Sequence, residues 1–436
     1  LKAGKCKYMD ILIKNATIIT CNAQNEVLKG DIFIKSGKIA RIAENIELSI
    51  YEQATVKVIE GKDLIAMPGL INAHTHCGQT ILRSFADDMP LYEWLFEKIF
   101  PAEEKLTKEM IYFSSLLGIA EMLKSGTTMF FDMYFHEDMT AKAVQQTGIK
   151  AVLSRGLQTD EKEDVRLDET KELFYNYSSD RIKVFFGPHS IYTCSYNLLE
   201  KVAQLAQEFK TGVMIHLSES ENEVNECYEK YNISPVKICS QAGLFDTICI
   251  AAHCVYVDDE DIEILSEKNV SCVYNPTSNL KLGNGFAPVH NMIKSGVNVA
   301  IGTDSAASNN NLNMLEEMHI ASLLEKGIYR LPDILNAQQI LKMATTNAAM
   351  AAGIYNTGIL QEGFCADIAL LRANDFNMLP CYNPVSNIVY SSNPSNVYAT
   401  IADGQILYMD GKLFTIDEEA LVREIKSIEK FLKKSV

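Results

Sequence analysis

From about Met67 to Gly353 the chain alternates short apolar runs with longer stretches of helical periodicity. Eight apolar runs read as strands: Leu70 to His76, Thr127 to Asp132, Lys150 to Arg155, Lys183 to Pro188, Val213 to His216, Ile248 to Ala252, Val270 to Tyr274 and Asn298 to Gly302. Between them, segments such as Met110 to Ser125, Asn197 to Lys210 and Asp258 to Lys268 repeat their hydrophobic residues at helical spacing. Alternating strand and helix predicts parallel strands joined by crossovers, so residues 67–353 are expected to form a (β/α)8 TIM-type barrel.

The two ends have a different texture. Residues 9–66 carry β-branched runs with period two, such as Ile11-Leu12-Ile13 and Asp31-Ile32-Phe33-Ile34, separated by turns such as Ser36-Gly37. The same texture returns after Gly358, in Ala366 to Leu371, Val397 to Ile401 and Gln405 to Tyr408 before an Asp410-Gly411 turn. Each piece is too short for a core of its own. Together, 9–66 and 354–436 are expected to make one small discontinuous β-sandwich domain, closed by a helix over Asp417 to Val436 whose Lys-rich end suits the helix dipole. Residues 1–8, with three lysines and no period, read as an upstream segment.

Composition narrows the function classes. Lys+Arg number 40 against Asp+Glu 56, a formal charge of −16. That argues against nucleic acid as a partner, since phosphate-backbone binding draws on basic clusters, but leaves a small nucleoside open. Apolar runs fall well short of the ~18 residues a membrane span needs, and no basic-then-apolar leader is read at the start, so a cytoplasmic location is expected. The eleven cysteines contain no C-x-x-C and fit reduced, buried thiols.

Barrel active sites lie at the C-terminal ends of the strands. Of the eight histidines, five fall there (His74, His76, His189, His216 and His253), while His136, His290 and His319 fall elsewhere. His74 and His76 are two apart on a strand, which puts both on one face. H-x-H alone is as consistent with chance as with a chelate, but His216 and Asp304 from two other strand ends complete a set of three imidazoles and one carboxylate. That set suits one Zn²⁺ per chain, with Fe²⁺ or Mn²⁺ also fitting, and leaves room for a water. A second metal is not expected, because Phe185 to His189 offers no bridging lysine. Asp304 could take the water's proton. Glu219, three residues past His216, could carry a proton to the leaving group, or could be a solvated loop carboxylate. His253 could orient the nucleophile, or could be a hydrogen-bonded core histidine.

These residues sit in longer motifs. Pro68-Gly69-Leu70-Ile71-Asn72-Ala73-His74-Thr75-His76 and Gly302-Thr303-Asp304 resemble the first- and eighth-strand motifs of the amidohydrolase superfamily. Trp94-Leu95-Phe96, Ser154-Arg155-Gly156-Leu157, Gly187-Pro188-His189-Ser190, Asn279 to Gly285 and Ala306 to Asn310 are similar to the 5-methylthioadenosine/S-adenosylhomocysteine deaminase family over nearly the whole chain. The resemblance implies metal ligands His74, His76, His216 and Asp304, a proton shuttle in Glu219, and His253 beside the nucleophile. It further implies that Glu103 binds ribose hydroxyls, Trp94 lines the nucleoside pocket, His189 touches the purine, and Arg155 with Arg166 holds an amino-acid carboxylate. The implied reaction is hydrolytic deamination of a 5'-substituted adenosine to the inosine analogue and ammonia. Alternatives are a guanine deaminase or triazine hydrolase on the same scaffold, and a metal-free scaffold protein. Tyr274, where some relatives have histidine before Asn-Pro, is expected to alter the pocket's shape. Relatives commonly assemble as dimers or tetramers, so a homo-oligomer is possible.

Overall fold

The computed structural model describes residues 9–435, so the segment read as upstream, residues 1–8, lies outside the described residues. Eight parallel strands form the barrel: β1 (Leu70–Thr75), β2 (Thr127–Tyr134), β3 (Lys150–Leu157), β4 (Ile182–Pro188), β5 (Val213–Leu217), β6 (Cys249–His253), β7 (Ser271–Tyr274) and β8 (Asn298–Ile301). They pair in chain order. β2 and β3 run past the ends expected from periodicity, which carries Tyr134 and Leu157 to the rim.

Side-chain alternation sets the two cores. Met129, Phe131, Val152, Phe185, Met214, Ile250, Val273 and Ala300 fill the barrel interior above a floor of Ala348, Ala349, Ala351 and Ala352. Their neighbours Phe130, Leu153, Val184, Ile215, Ala251 and Val299 face the surrounding helices. β8 meets β1 through single contacts: the Asp304 N–H donates to the His74 carbonyl at 2.9 Å, and the Thr303 N–H to Asn72 Oδ1 at 2.9 Å. This close approach requires Gly302, where a Cβ would stand 2.6 Å from the His74 nitrogen.

The chain ends meet in one nine-stranded mixed sheet. Leu64–Pro68, which leads straight into β1, pairs antiparallel with Ile368–Arg372, joining the N- and C-terminal β-rich segments. The sheet curls over a core of Ile13, Ile18, Ile32, Ile34, Ile368 and Ile401, and the turn at Gly404 comes back against Gly37 and Ile34. A buried ion-pair cluster ties it to the barrel, with Lys150 Nζ 2.7 Å from Asp367 and 2.6 Å from Asp403. The last helix, Glu418–Ser435, places Ile428 and Leu432 in the apolar cluster that holds Trp94 and Leu95. Among the described residues no helix is long and apolar enough to cross a membrane, and ten cysteines are free thiols.

Candidate active site

A bulge decides where His74 and His76 point. Along β1, Asn72 pairs with Phe130 but Thr75 with Asp132, so three steps on one strand oppose two on the other. Ala73 and Ile71 face the barrel interior. In a regular strand His74 would therefore face outward, and the extra residue turns both histidines in. Thr75 now faces out and donates to Asp132 Oδ1 at 2.6 Å, and the Cys77 N–H reaches the same oxygen at 2.5 Å. Asp132 thus clamps the bulge from behind.

Around the mouth the structure brings together His74, His76, His216 and Asp304. Asp304 Oδ1 stands 3.5 Å from His74 Nε2 and 3.3 Å from His76 Nε2, and His216 Nε2 is 3.1 Å from His76 Nε2. His76 Nδ1 bonds the Met133 carbonyl, and His216 Nδ1 the His189 carbonyl at 2.7 Å. A carbonyl can only accept, so each Nδ1 carries the hydrogen and each Nε2 of a neutral ring is a bare lone pair. Two lone pairs facing each other need a positive charge between them. Both His74 nitrogens are buried without a partner. The donor set fits a divalent cation bound by imidazole and carboxylate.

The electrostatics agree. Burial opposes charge on Asp304, yet the facing imidazoles of His74 and His76 outweigh it and hold the carboxyl well below its usual range. For His76, burial likewise opposes charge, but Asp304 wins and lifts the imidazole to about 9, so that a proton on Nε2 is the alternative to a cation as the positive charge the two facing nitrogens need. Burial pulls His74 down to about 4 and His189 to about 3.

Three strand ends turn through left-handed backbone at Ser218 (φ 51), His253 (φ 73) and Asp304 (φ 62). Left-handed backbone at non-glycine residues is uncommon and concentrates at functional sites. These turns bring Glu219 and His253 to the same mouth, with His253 Nε2 3.7 Å from Glu219 Oε2. Burial pushes the Glu219 carboxyl up. Glu223, four residues on in helix Glu221–Tyr231, accepts from the Ser218 and Glu219 N–H groups at 3.0 and 2.8 Å and fixes that turn.

Residues 65–407 match the Amidohydrolase family. A 5-methylthioadenosine/S-adenosylhomocysteine deaminase of Caldicellulosiruptor saccharolyticus is 77% identical over 428 residues, covering 98% of this chain and 100% of that one. Its namesake from Acetivibrio thermocellus is 46% identical over 97% and 99% of the two chains. The chain belongs to the 5-methylthioadenosine/S-adenosylhomocysteine deaminases of the amidohydrolase family. Among solved structures, an adenosine deaminase from Xanthomonas campestris with bound zinc is similar at a TM-score of 0.92 and 29% identity over 98% and 99% of the chains. A triazine hydrolase from Arthrobacter aurescens, with a TM-score of 0.90 and 23% identity over 97% and 99%, shares the fold alone. The relatives at high identity are deaminases of the first kind, not the guanine deaminases or triazine hydrolases kept as alternatives.

In this deaminase family member the mouth opens into a cavity of about 690 Å³, solvent at its entrance included, lined among others by Trp94, Glu103, Arg155, His189, Glu219 and His253. Trp94 and Leu95 start a π-helical turn, Trp94–Ile99, that brings Phe100 and Glu103 round to the same face. The indole N–H is fixed on the Ala86 carbonyl at 3.1 Å. Gln79 and the Tyr134 hydroxyl each donate to Glu103 Oε1 at 2.6 Å. Arg155 lines the cavity while its Nε donates to Glu169 at 2.7 Å.

Two expectations need correction. Arg166 does not reach the cavity: its guanidinium makes a bidentate pair with Asp160 at 2.5 and 2.6 Å and also donates to the Gln158 carbonyl. Tyr274 does not shape the pocket either, because it faces outward into the core under Glu317 and Glu325. Gln79, Tyr134 and Glu223 are not singled out by the sequence, and Asn279 and Asn284 enter there only as members of the Asn279 to Gly285 motif, with no role attached. For Glu223 the available signal was its place four residues after Glu219 at the start of a helix; for Tyr134, the apolar run continuing beyond Asp132.

Proposed function

We propose that this enzyme hydrolyses the 6-amino group of a 5'-substituted adenosine, such as methylthioadenosine or S-adenosylhomocysteine, on one zinc ion held by His74, His76, His216 and Asp304. The observation that carries the reading is the pair of bare Nε2 atoms, 3.1 Å apart and faced by a carboxylate, at the end of a cavity that also holds an indole and a buried glutamate. A divalent metal bound there supplies Lewis acidity, lowering the pKa of water toward about 7.

The protein's own groups do the rest. Trp94 packs against the nucleoside, and Glu103, fixed from behind by Gln79 and Tyr134, accepts from ribose hydroxyls. Arg155 meets the 5'-substituent. Asp304 takes a proton from the attacking water as oxygen adds to C6. Glu219, whose carboxyl burial pushes up, gives its proton to N1, then takes the proton of the new C6 hydroxyl and delivers it to N6, so that the C6–N6 bond breaks and ammonia leaves; the proton held by Asp304 passes to Glu219 and restores both groups. His253 orients the attacking water. Water consumed and ammonia released balance the conversion of adenosine to inosine.

Incubating zinc-loaded protein with methylthioadenosine, S-adenosylhomocysteine and 5'-deoxyadenosine tests the reading. Ammonia release from at least one, abolished by Asp304→Asn, is the expected outcome. No release from any adenosine compound rejects it.

A further inference from the structure

One short segment touches each group that moves or directs a proton in the proposed reaction. Helix Pro276–Lys281 follows β7 and passes behind the cavity. Ser278 Oγ donates to Asp304 Oδ2 at 2.5 Å, an oxygen that Ser308 Oγ also reaches at 2.9 Å. Asn279 Oδ1 lies 2.8 Å from His253 Nδ1. Past the helix end, Asn284 Nδ2 donates to Glu219 Oε1 at 2.9 Å. Three polar side chains within seven positions therefore grip three residues that arrive on three different strand ends.

The segment is itself held rigidly. The Asn284 N–H donates to the Asn279 carbonyl at 2.8 Å and the Asn279 N–H to the Asn275 carbonyl at 3.0 Å. Asn275 Nδ2 roots the helix on the Gly302 carbonyl at 3.0 Å, next to Asp304. Ser278, Asn279 and Asn284 are all buried, so water does not compete for these bonds.

A carboxamide presents a donor at one end and an acceptor at the other, and a neutral imidazole carries one hydrogen. With the Asn279 oxygen toward His253, that hydrogen belongs on Nδ1, and Nε2 is left as a lone pair directed toward Glu219 and the cavity. We infer that Asn279 is a positioning residue that fixes His253 in the Nδ1–H tautomer, while Ser278 and Asn284 occupy the non-reacting oxygens of Asp304 and Glu219. The segment acts as one template for proton placement. His253 then accepts a hydrogen bond from the attacking water and has no N–H to offer Glu219.

The role of His253 rests on the proposed function, but the tautomer does not, and the two are tested separately. The tautomer is read without substrate, from the ¹⁵N shifts of imidazole-labelled, metal-loaded full-length protein, with the His253 signals assigned by their loss in His253→Gln. A protonated Nδ1 and bare Nε2 are expected, retained in Asn279→Asp, which keeps the acceptor, and lost in Asn279→Leu. Asn279→Leu should lower kcat about 10–100-fold, the range typical of orienting partners one shell out, with KM changing less than about threefold. Leu280→Ala, on the same helix with its side chain exposed, should leave spectrum and kcat as in the wild type. A hydrogen on His253 Nε2 in the wild type overturns the inference whether or not the enzyme turns over. So does an unchanged kcat in Asn279→Leu. If Asn279→Leu does not fold, the wild-type and Asn279→Asp spectra decide.

Discussion

Replacing Glu219 by glutamine separates chemistry from architecture. The two side chains have the same shape, and the glutamine oxygen can accept the 2.9 Å bond from Asn284 that Oε1 accepts now. What disappears is the proton. General acid–base groups contribute about 10²–10⁴-fold, or about 3–5 kcal/mol of barrier. The upper half of that range is expected here, because burial pushes the carboxyl's pKa up and few other acids line the cavity. Stability should move the other way. A carboxyl whose folded pKa is raised holds its proton in the native state after the unfolded chain has released it, so its burial costs stability as pH rises above the unfolded value near ~4.3. Glutamine removes that cost. Steady-state ammonia release at neutral pH, with thermal unfolding of the same sample, measures both quantities. The expected result is a kcat/KM loss above a hundredfold with Tm equal to or higher than the parent. A loss smaller than about tenfold, or a matching fall in Tm, would refute the assignment of Glu219 as proton donor.

Lys150→Met leaves Asp367 buried without its cation, while Asp403 keeps Arg181, a change that costs about 3–5 kcal/mol and is read as a lowered Tm. Asp367 and Asp403 raise the lysine's pKa against burial, so this stabilisation is complete below the unfolded value near ~10.4 and fades as pH climbs through the folded one; the Tm gap between parent and variant should narrow in strong alkali. Gly302→Ala drives a methyl to 2.6 Å from the His74 nitrogen. It should cost about 1–3 kcal/mol and reduce metal content, checked by elemental analysis. Arg155→Ala should raise KM for S-adenosylhomocysteine, which carries a carboxylate, more than for methylthioadenosine; equal effects on both would place the arginine away from the 5'-substituent.

The alternation of apolar strand and amphipathic helix was legible because a barrel buries both faces of its strands, leaving runs such as Lys150-Ala151-Val152-Leu153 that no surface segment would tolerate. The pairing of Leu64–Pro68 with Ile368–Arg372 followed from need, since neither end could build a core alone. The facing of His74 and His76 was less legible. Period two says that they share a face but not which one, and the bulge that turns them inward is a property of the ladder with β2, not of local sequence. Arg166 was misplaced for a related reason: it sits in the first turn of helix Glu163–Tyr177, where its guanidinium takes the nearest carboxylate, and Asp160 is six residues away. The residues behind the site, such as Asn279, Asn284 and Glu223, act through contacts that only the packed structure creates.

The place of Ile428 and Leu432 in the apolar cluster that also holds Trp94 sets a schedule for synthesis. All the groups proposed for the chemistry have left the ribosome once Asp304 emerges, yet the apolar cluster that holds Trp94 lacks two of its members until more than a hundred further residues have been added. A nascent chain would carry every reactive group before it has either the floor of the barrel, Ala348 to Ala352, or the final helix that completes the cluster around Trp94.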